Sequence, residues 1–190
     1  MRYQRRNAAR DDLINADRHM SELFSVWDNV YNGQFTEGPM AASPWPDGWE
    51  LYPGGANTIA RTNADATAGS HSILGTCVVG ATAVGTMNSQ KLMPVSVLST
   101  YNVYVSTNAS GAAIQCRWGM MCYSAAKAYL GLAIAYGPAA PGAGWVETVQ
   151  QMGAAGTGFV ATTRYVRFFF DWTDTTGASS IYVDNVFITR

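Results

Sequence analysis

Two stretches of this chain alternate apolar side chains with groups suited to holding a sugar. In one, Gln115, Arg117 and Tyr123 fall between Ile114, Cys116, Trp118, Met120 and Cys122. In the other, Tyr165, Arg167, Phe169 and Asp171 fall between Val166, Phe168, Phe170 and Trp172. Sugar recognition needs flat aromatic faces for the apolar side of a pyranose and planar polar groups for its hydroxyls. A period of two puts each polar set on one face of a strand. If both strands belong to one sheet, the two sets form a single outward face. Gln115, Arg117, Tyr123, Arg167 and Asp171 are then the candidate glycan contacts. The competing reading is an ordinary sheet surface, or one buried against a neighbouring protein. Trp45, Tyr136 and Trp145 stand beside Pro or Gly turns and offer a loop-tip site.

Catalysis finds little to work with. Glycoside hydrolysis needs two positioned carboxyl groups, and only eight acidic residues follow residue 31. Asp171 and Asp174 are the nearest pair, and Asp174 reads as a turn cap. The two histidines, His19 and His71, make neither a metal cluster nor a triad. Gly153-Ala154-Ala155-Gly156-Thr157-Gly158 is Gly-rich but lacks the phosphate-binding pattern and a following Lys, and reads as a flexible loop.

Composition narrows the class further. The chain has 190 residues, 48% of them hydrophobic and only 13% charged. That charge share is about half the usual one. Abundant Thr, Val, Gly and Tyr with few charges is the habit of an all-β protein. The net charge of -1 gives no electrostatic footprint for nucleic acid. No run of 18 apolar residues exists, so no membrane span is expected, and the polar N-terminus does not read as a secretory signal. Three widely spaced cysteines, Cys77, Cys116 and Cys122, disfavour a zinc site or a disulfide framework and fit a reducing cytoplasm. The alternation places Cys116 and Cys122 on the Trp118 face as buried free thiols.

The elements that must position these residues fall into two parts. Residues 1–31 hold five Arg and five acidic residues, with no Gly or Pro. Asp11 and Asp12 suit a helix start. Leu13, Ala16, Met20, Leu23, Trp27 and Val30 then recur at heptad spacing. The seam predicts a short amphipathic helix. Its apolar face either self-associates (a trimer is the natural guess), docks into a larger partner, or lies on its own domain. Arg2, Arg5, Arg6 and Arg10 read as a solvated arm, with an anchor on an acidic surface as the alternative. From residue 32 the signals are turns and strands. Strands are expected over 70–79, 98–107, 114–123, 129–136, 145–151, 164–172 and 181–188, with Gly137-Pro138 stopping the fourth. Many short strands without βαβ alternation predict a β-sandwich or jelly roll.

The order of short motifs resembles the jelly-roll carbohydrate-binding modules attached to bacterial xylanases and glucanases. Asn32-Gly33-Gln34-Phe35-Thr36-Glu37, Asp47-Gly48-Trp49, Ala68-Gly69-Ser70-His71-Ser72-Ile73-Leu74 and Asn88-Ser89-Gln90-Lys91-Leu92 are similar to the opening segments of those modules. Tyr101-Asn102-Val103-Tyr104-Val105-Ser106, the aromatic strand 165–170 and Ile181-Tyr182-Val183-Asp184-Asn185-Val186 match the later ones. The resemblance covers residues 31–190. It implies a jelly roll that puts Trp49, Trp118, Phe168, Phe170 and Trp172 in its core, and a structural calcium ion near the first and last strands. Thr36 and Asp184 occupy the matching positions, with Thr36 standing where the family has Glu. Modules of this type also recur in bacteriophage virion proteins behind short N-terminal anchoring segments. The resemblance and the layout together imply a non-catalytic virion structural protein (a decoration, fibre or tail module). It would be assembled in the host cytoplasm among other virion proteins and would be able to bind cell-surface polysaccharide. A glycan-binding module of a carbohydrate-active system is the alternative.

Overall fold

In a computed structural model of the chain, the described residues are Phe35, 48–52, 58–67, 71–77, 85–110, 114–174 and 179–190. The amphipathic seam from Leu13 to Val30, the Arg cluster, Thr36 and Trp45 lie outside them.

Eleven strands form. They are β1 (Trp49–Tyr52), β2 (Thr58–Thr62), β3 (Ser72–Cys77), β4 (Gly85–Ser89), β5 (Met93–Pro94) and β6 (Thr100–Ala109). Then come β7 (Ile114–Tyr123), β8 (Tyr129–Ala139), β9 (Val146–Gly153), β10 (Tyr165–Asp174) and β11 (Ser179–Thr189). Sheet A runs β1-β4-β10-β7-β8, with β5 on β10 beyond the end of β4. Sheet B runs β2-β3-β11-β6-β9. Each pairing between these strands is antiparallel. Chain neighbours often sit in opposite sheets, which makes this the jelly-roll sandwich that the alternation pointed to.

The longest ladder joins β10 to β7 over ten residue pairs, from Tyr165↔Tyr123 to Asp174↔Ile114. Its parity sorts the side chains. Val166, Phe168, Phe170 and Trp172 on β10, with Cys116, Trp118, Met120 and Cys122 on β7, are buried and form one side of the core. Sheet B answers with Ile73, Val103, Val105, Ile181, Val183, Val186 and Ile188. All five aromatic residues expected in the core lie there, and both thiols share the Trp118 face.

Trp172 crosses the gap between the sheets. A methyl group at Gly85 would sit 2.2 Å from its indole, and one at Gly75 in sheet B 2.6 Å. Both positions must therefore lack a side chain.

Some boundaries differ from the sequence expectation. β8 does not stop at Gly137-Pro138 but continues to Ala139. Its register slips against β7 near both ends and in the middle, and Gly137 takes a positive φ of 81°. The bulges absorb a residue pair that would end a regular strand. Thr173 and Asp174 extend β10. Asp174 is buried and accepts a hydrogen bond from the Ser179 hydroxyl, so it holds the two strand ends together. The 153–158 loop is hydrogen-bonded: Gly153 N–H donates to the Thr157 carbonyl, Thr157 N–H to Gln151 and Ala154 N–H to Ser99. Gly153 has φ +91°, and a methyl there would lie 2.1 Å from the Ser99 carbonyl oxygen. The short strands β1, β2, β4 and β5 carry too few residues for a period of two to show.

Two outcomes follow. Gly85→Ala is expected to cost about 2 kcal/mol in urea unfolding, because the indole has no room to move. Burial pushes the Cys116 thiol up to about 12 from its ordinary 9.0. The unfolded chain ionises first, so stability stays level to about pH 9 and falls as pH rises beyond it. Cys116→Ala, unfolded at pH 8 and pH 10 in reductant, is expected to flatten that fall.

Candidate glycan-binding face

The outward parity of β10 and β7 brings the expected residues together. Opposite one another stand Tyr165 and Tyr123, Arg167 and Met121, Phe169 and Gly119, Asp171 and Arg117, and Thr173 and Gln115. β4 adds Asn88 beside Phe169, β1 adds Glu50 beside Asn88, and β8 adds Leu132 beside Met121.

One end of this face is aromatic. The Tyr123 and Tyr129 rings meet edge to face at 5.8 Å. The Arg167 guanidinium lies 5.7 Å from the Tyr123 ring centre, a cation–π distance. Tyr129 is 54% exposed. Burial pushes the Tyr123 phenol above its ordinary value, with Arg167 pulling the other way. It therefore remains a neutral hydroxyl that can both donate and accept.

The other end is ionic. Arg117 donates from Nε to Asp171 Oδ2 at 2.9 Å, and its Nη2 lies 2.9 Å from the same oxygen in an ion pair. Arg167 lies 3.9 Å from Glu50. Both arginines are thus matched by carboxylates on the same face, and its described charges sum to zero.

Two expected features of this face are corrected. Phe169 is only 2% exposed and Asp171 6%, so neither stands out into solvent. Phe169 lies across from Gly119 of β7 and beside Asn88 of β4. Asp171 is folded under the Arg117 guanidinium. Tyr136 does not form a loop-tip site, because it stacks on Trp118 at 5.7 Å and 15°. Gln115 is exposed as expected. Asp171 and Asp174 fall on opposite faces of β10, so they do not flank a common space.

Sequence reasoning missed Glu50, Asn88, Tyr129 and Leu132. Tyr129 and Leu132 were inside an expected strand, but the bulges of β8 break the parity that would have placed them outward. Glu50 and Asn88 could be found only once β1 and β4 were known to flank β10.

Sheet B carries a second set of rings. Tyr104 and Phe187 stack at 4.2 Å and 5°. Trp145 donates its indole N–H to Asp65 at 2.9 Å and leans on Tyr182, while Asn108 donates to the other Asp65 oxygen at 2.9 Å. Asp184 is fully buried, and its oxygens accept N–H from Thr67 at 2.8 Å and Asn185 at 2.6 Å. These two carboxylates fasten the 63–67 segment to sheet B. A calcium ion at Asp184 would need several more oxygen ligands. Among the described residues no group of three His, Cys, Asp or Glu could hold a metal, and Thr36 lies outside them.

The architecture is shared with known structures. The chain superposes on the CBM22-1 xylan-binding domain of Paenibacillus barcinonensis Xyn10C with a TM-score of 0.54 and 14% identity, covering 83% of this chain and 90% of that one. A family 16 carbohydrate-binding module gives a TM-score of 0.51 at 14% identity, covering 80% of this chain and 98% of the module. The enzymatically active domain of tailspike protein 4 of bacteriophage CBA120 gives 0.57 at 12% identity. It is matched over 85% of this chain but only 21% of the tailspike chain. The fold is therefore that of the jelly-roll carbohydrate-binding modules. No family model and no curated protein matches the sequence. No helix among the described residues is long and apolar enough to cross a membrane.

The Arg117–Asp171 pair makes a sharp prediction. Arg117→Met leaves a buried carboxylate without its cation and is expected to cost about 1–3 kcal/mol in chemical denaturation. Adding Asp171→Leu is expected to recover most of that loss.

Proposed function

We propose that this protein is a non-catalytic glycan-binding module that works as a structural component of a phage particle. The observation that carries the glycan reading is the cluster of Tyr123, Tyr129 and Arg167 on one open face, continued by the Arg117–Asp171 pair. An exposed ring beside fixed polar groups is the chemistry a pyranose needs, and the matched charges keep the arginines aimed without demanding an anionic ligand. Gln115 adds a planar amide at the far end. The shared fold with a xylan-binding domain supports the same reading.

The virion role rests on the amphipathic seam of residues 13–30 ahead of the sandwich and on the likeness to part of a phage tailspike. That seam would attach the module to other virion proteins, or to copies of itself, while the sandwich reaches host polysaccharide. A module serving a carbohydrate-active enzyme is the second reading. It is favoured by the match to the arabinose-bound α-L-arabinofuranosidase MgGH51, which this chain covers over 26% of its length at a TM-score of 0.56.

Calorimetric titration with xylohexaose and β-1,4-galactotriose, together with an array of bacterial polysaccharides, tests the binding. At least one glycan is expected to bind. Tyr129→Ala and Arg167→Ala are each expected to weaken it about tenfold, and Gln151→Ala on sheet B is expected to leave it unchanged. A blank array at millimolar sites would sink the reading.

A further inference from the structure

Beside the aromatic end of the face runs a strip with a different chemistry. Leu132 and Ile134 on β8 are each 37% exposed, Leu132 opposite Met121 of β7 and Ile134 opposite Gly119. Tyr129 continues the strip at 54% exposure. Among the described residues, the only other exposed large apolar side chains are Leu98, Val146 and Val149. None of the eleven residues of β8 is charged.

Leucine, isoleucine and methionine side chains offer neither a flat ring nor a strong hydrogen-bonding group. A sugar hydroxyl pressed against them would lose its water and gain no partner. Whatever part of a bound glycan lies over this strip must itself be apolar. The charges on the face exclude a second option. Both Arg117 donors that point at Asp171 are used, and Arg167 is matched by Glu50. The described charges there balance, so the face gives a uronic acid no net attraction.

We propose that the strip reads methyl groups, and that the preferred ligand is a neutral glycan bearing them, as 6-deoxy sugars or acetylated sugars do. This rests on the glycan reading above and narrows it. The rings of Tyr129 and Tyr123 take the pyranose face, Arg167 and the Arg117–Asp171 pair take hydroxyls, and Leu132, Ile134 and Met121 take the methyl. The backbone explains why the strip lies so close to the rings. A methyl at Gly119 would sit 2.1 Å from the Ala133 carbonyl oxygen, so only glycine lets β8 close in on β7 at that point.

The full chain is tested by saturation-transfer NMR and affinity electrophoresis with matched probes. D-Fucose against D-galactose tests the C6 methyl, and xylan before and after removal of its acetyl groups tests the acetyl methyl. The methyl-bearing member of at least one pair is expected to bind better, by about fourfold for each buried methyl, with its methyl protons the most strongly saturated. Ile134→Ser and the milder Leu132→Thr are expected to erase that preference while leaving binding of the partner probe intact. Equal binding within both pairs would overturn the methyl proposal and leave the glycan reading standing. No binding to any of the four probes or to the polysaccharide array would overturn both.

Discussion

Everything in this sandwich follows from the parity of β10. It is the middle strand of sheet A, and its ten pairs with β7 fix which side chains look in and which look out. The inward set is large and aromatic, so a one-residue slip would carry Phe168, Phe170 and Trp172 to the surface and bring Arg167 and Asp171 into the core. Two glycines enforce the same choice from outside the strand. Gly75 and Gly85 leave the space that the Trp172 indole fills. The outward face inherits its order from that lock, and its polar groups are held by a backbone that cannot shift.

That rigidity matters for the chemistry of the face. Arg117 is held by a hydrogen bond and an ion pair to one oxygen of a nearly buried carboxylate. Arg167 is steadied by Glu50 on one side and the Tyr123 ring on the other. A site held ready in this way loses less side-chain freedom when a ligand arrives. Two buried atoms of the same face, Asn88 Oδ1 and Arg167 Nε, have no hydrogen-bond partner among the described residues.

Much of this was legible in the sequence. The ten-residue alternations of β7 and β10 are long enough for a period of two to stand out, so their core faces, their thiols and their outward residues could all be placed. What the alternation could not give was depth. Phe169 and Asp171 share the outward parity of β10, yet both are buried, Asp171 beneath the Arg117 guanidinium of the neighbouring strand. β8 was harder, because three irregularities in eleven residues scramble its parity and hide Tyr129, Leu132 and Ile134. β1, β2, β4 and β5 were missed because two to five residues cannot display a pattern. Their identity as strands comes from pairing with partners distant in the chain.

The seat of Trp145 has a bearing on how the protein can be made. Asn108-Ala109-Ser110 is an acceptor triplet for N-linked oligosaccharide. In the folded chain, however, the Asn108 amide nitrogen already donates to Asp65, within a finished strand of sheet B. A transferase could reach that nitrogen only before β6 had closed. The attached oligosaccharide would then crowd the seat that Asp65 shares with this amide and the Trp145 indole. Production through a eukaryotic secretory route would therefore put its sugar at an asparagine that fastens the 63–67 segment to the sandwich, whereas a bacterial cytoplasm leaves that fastening unmodified.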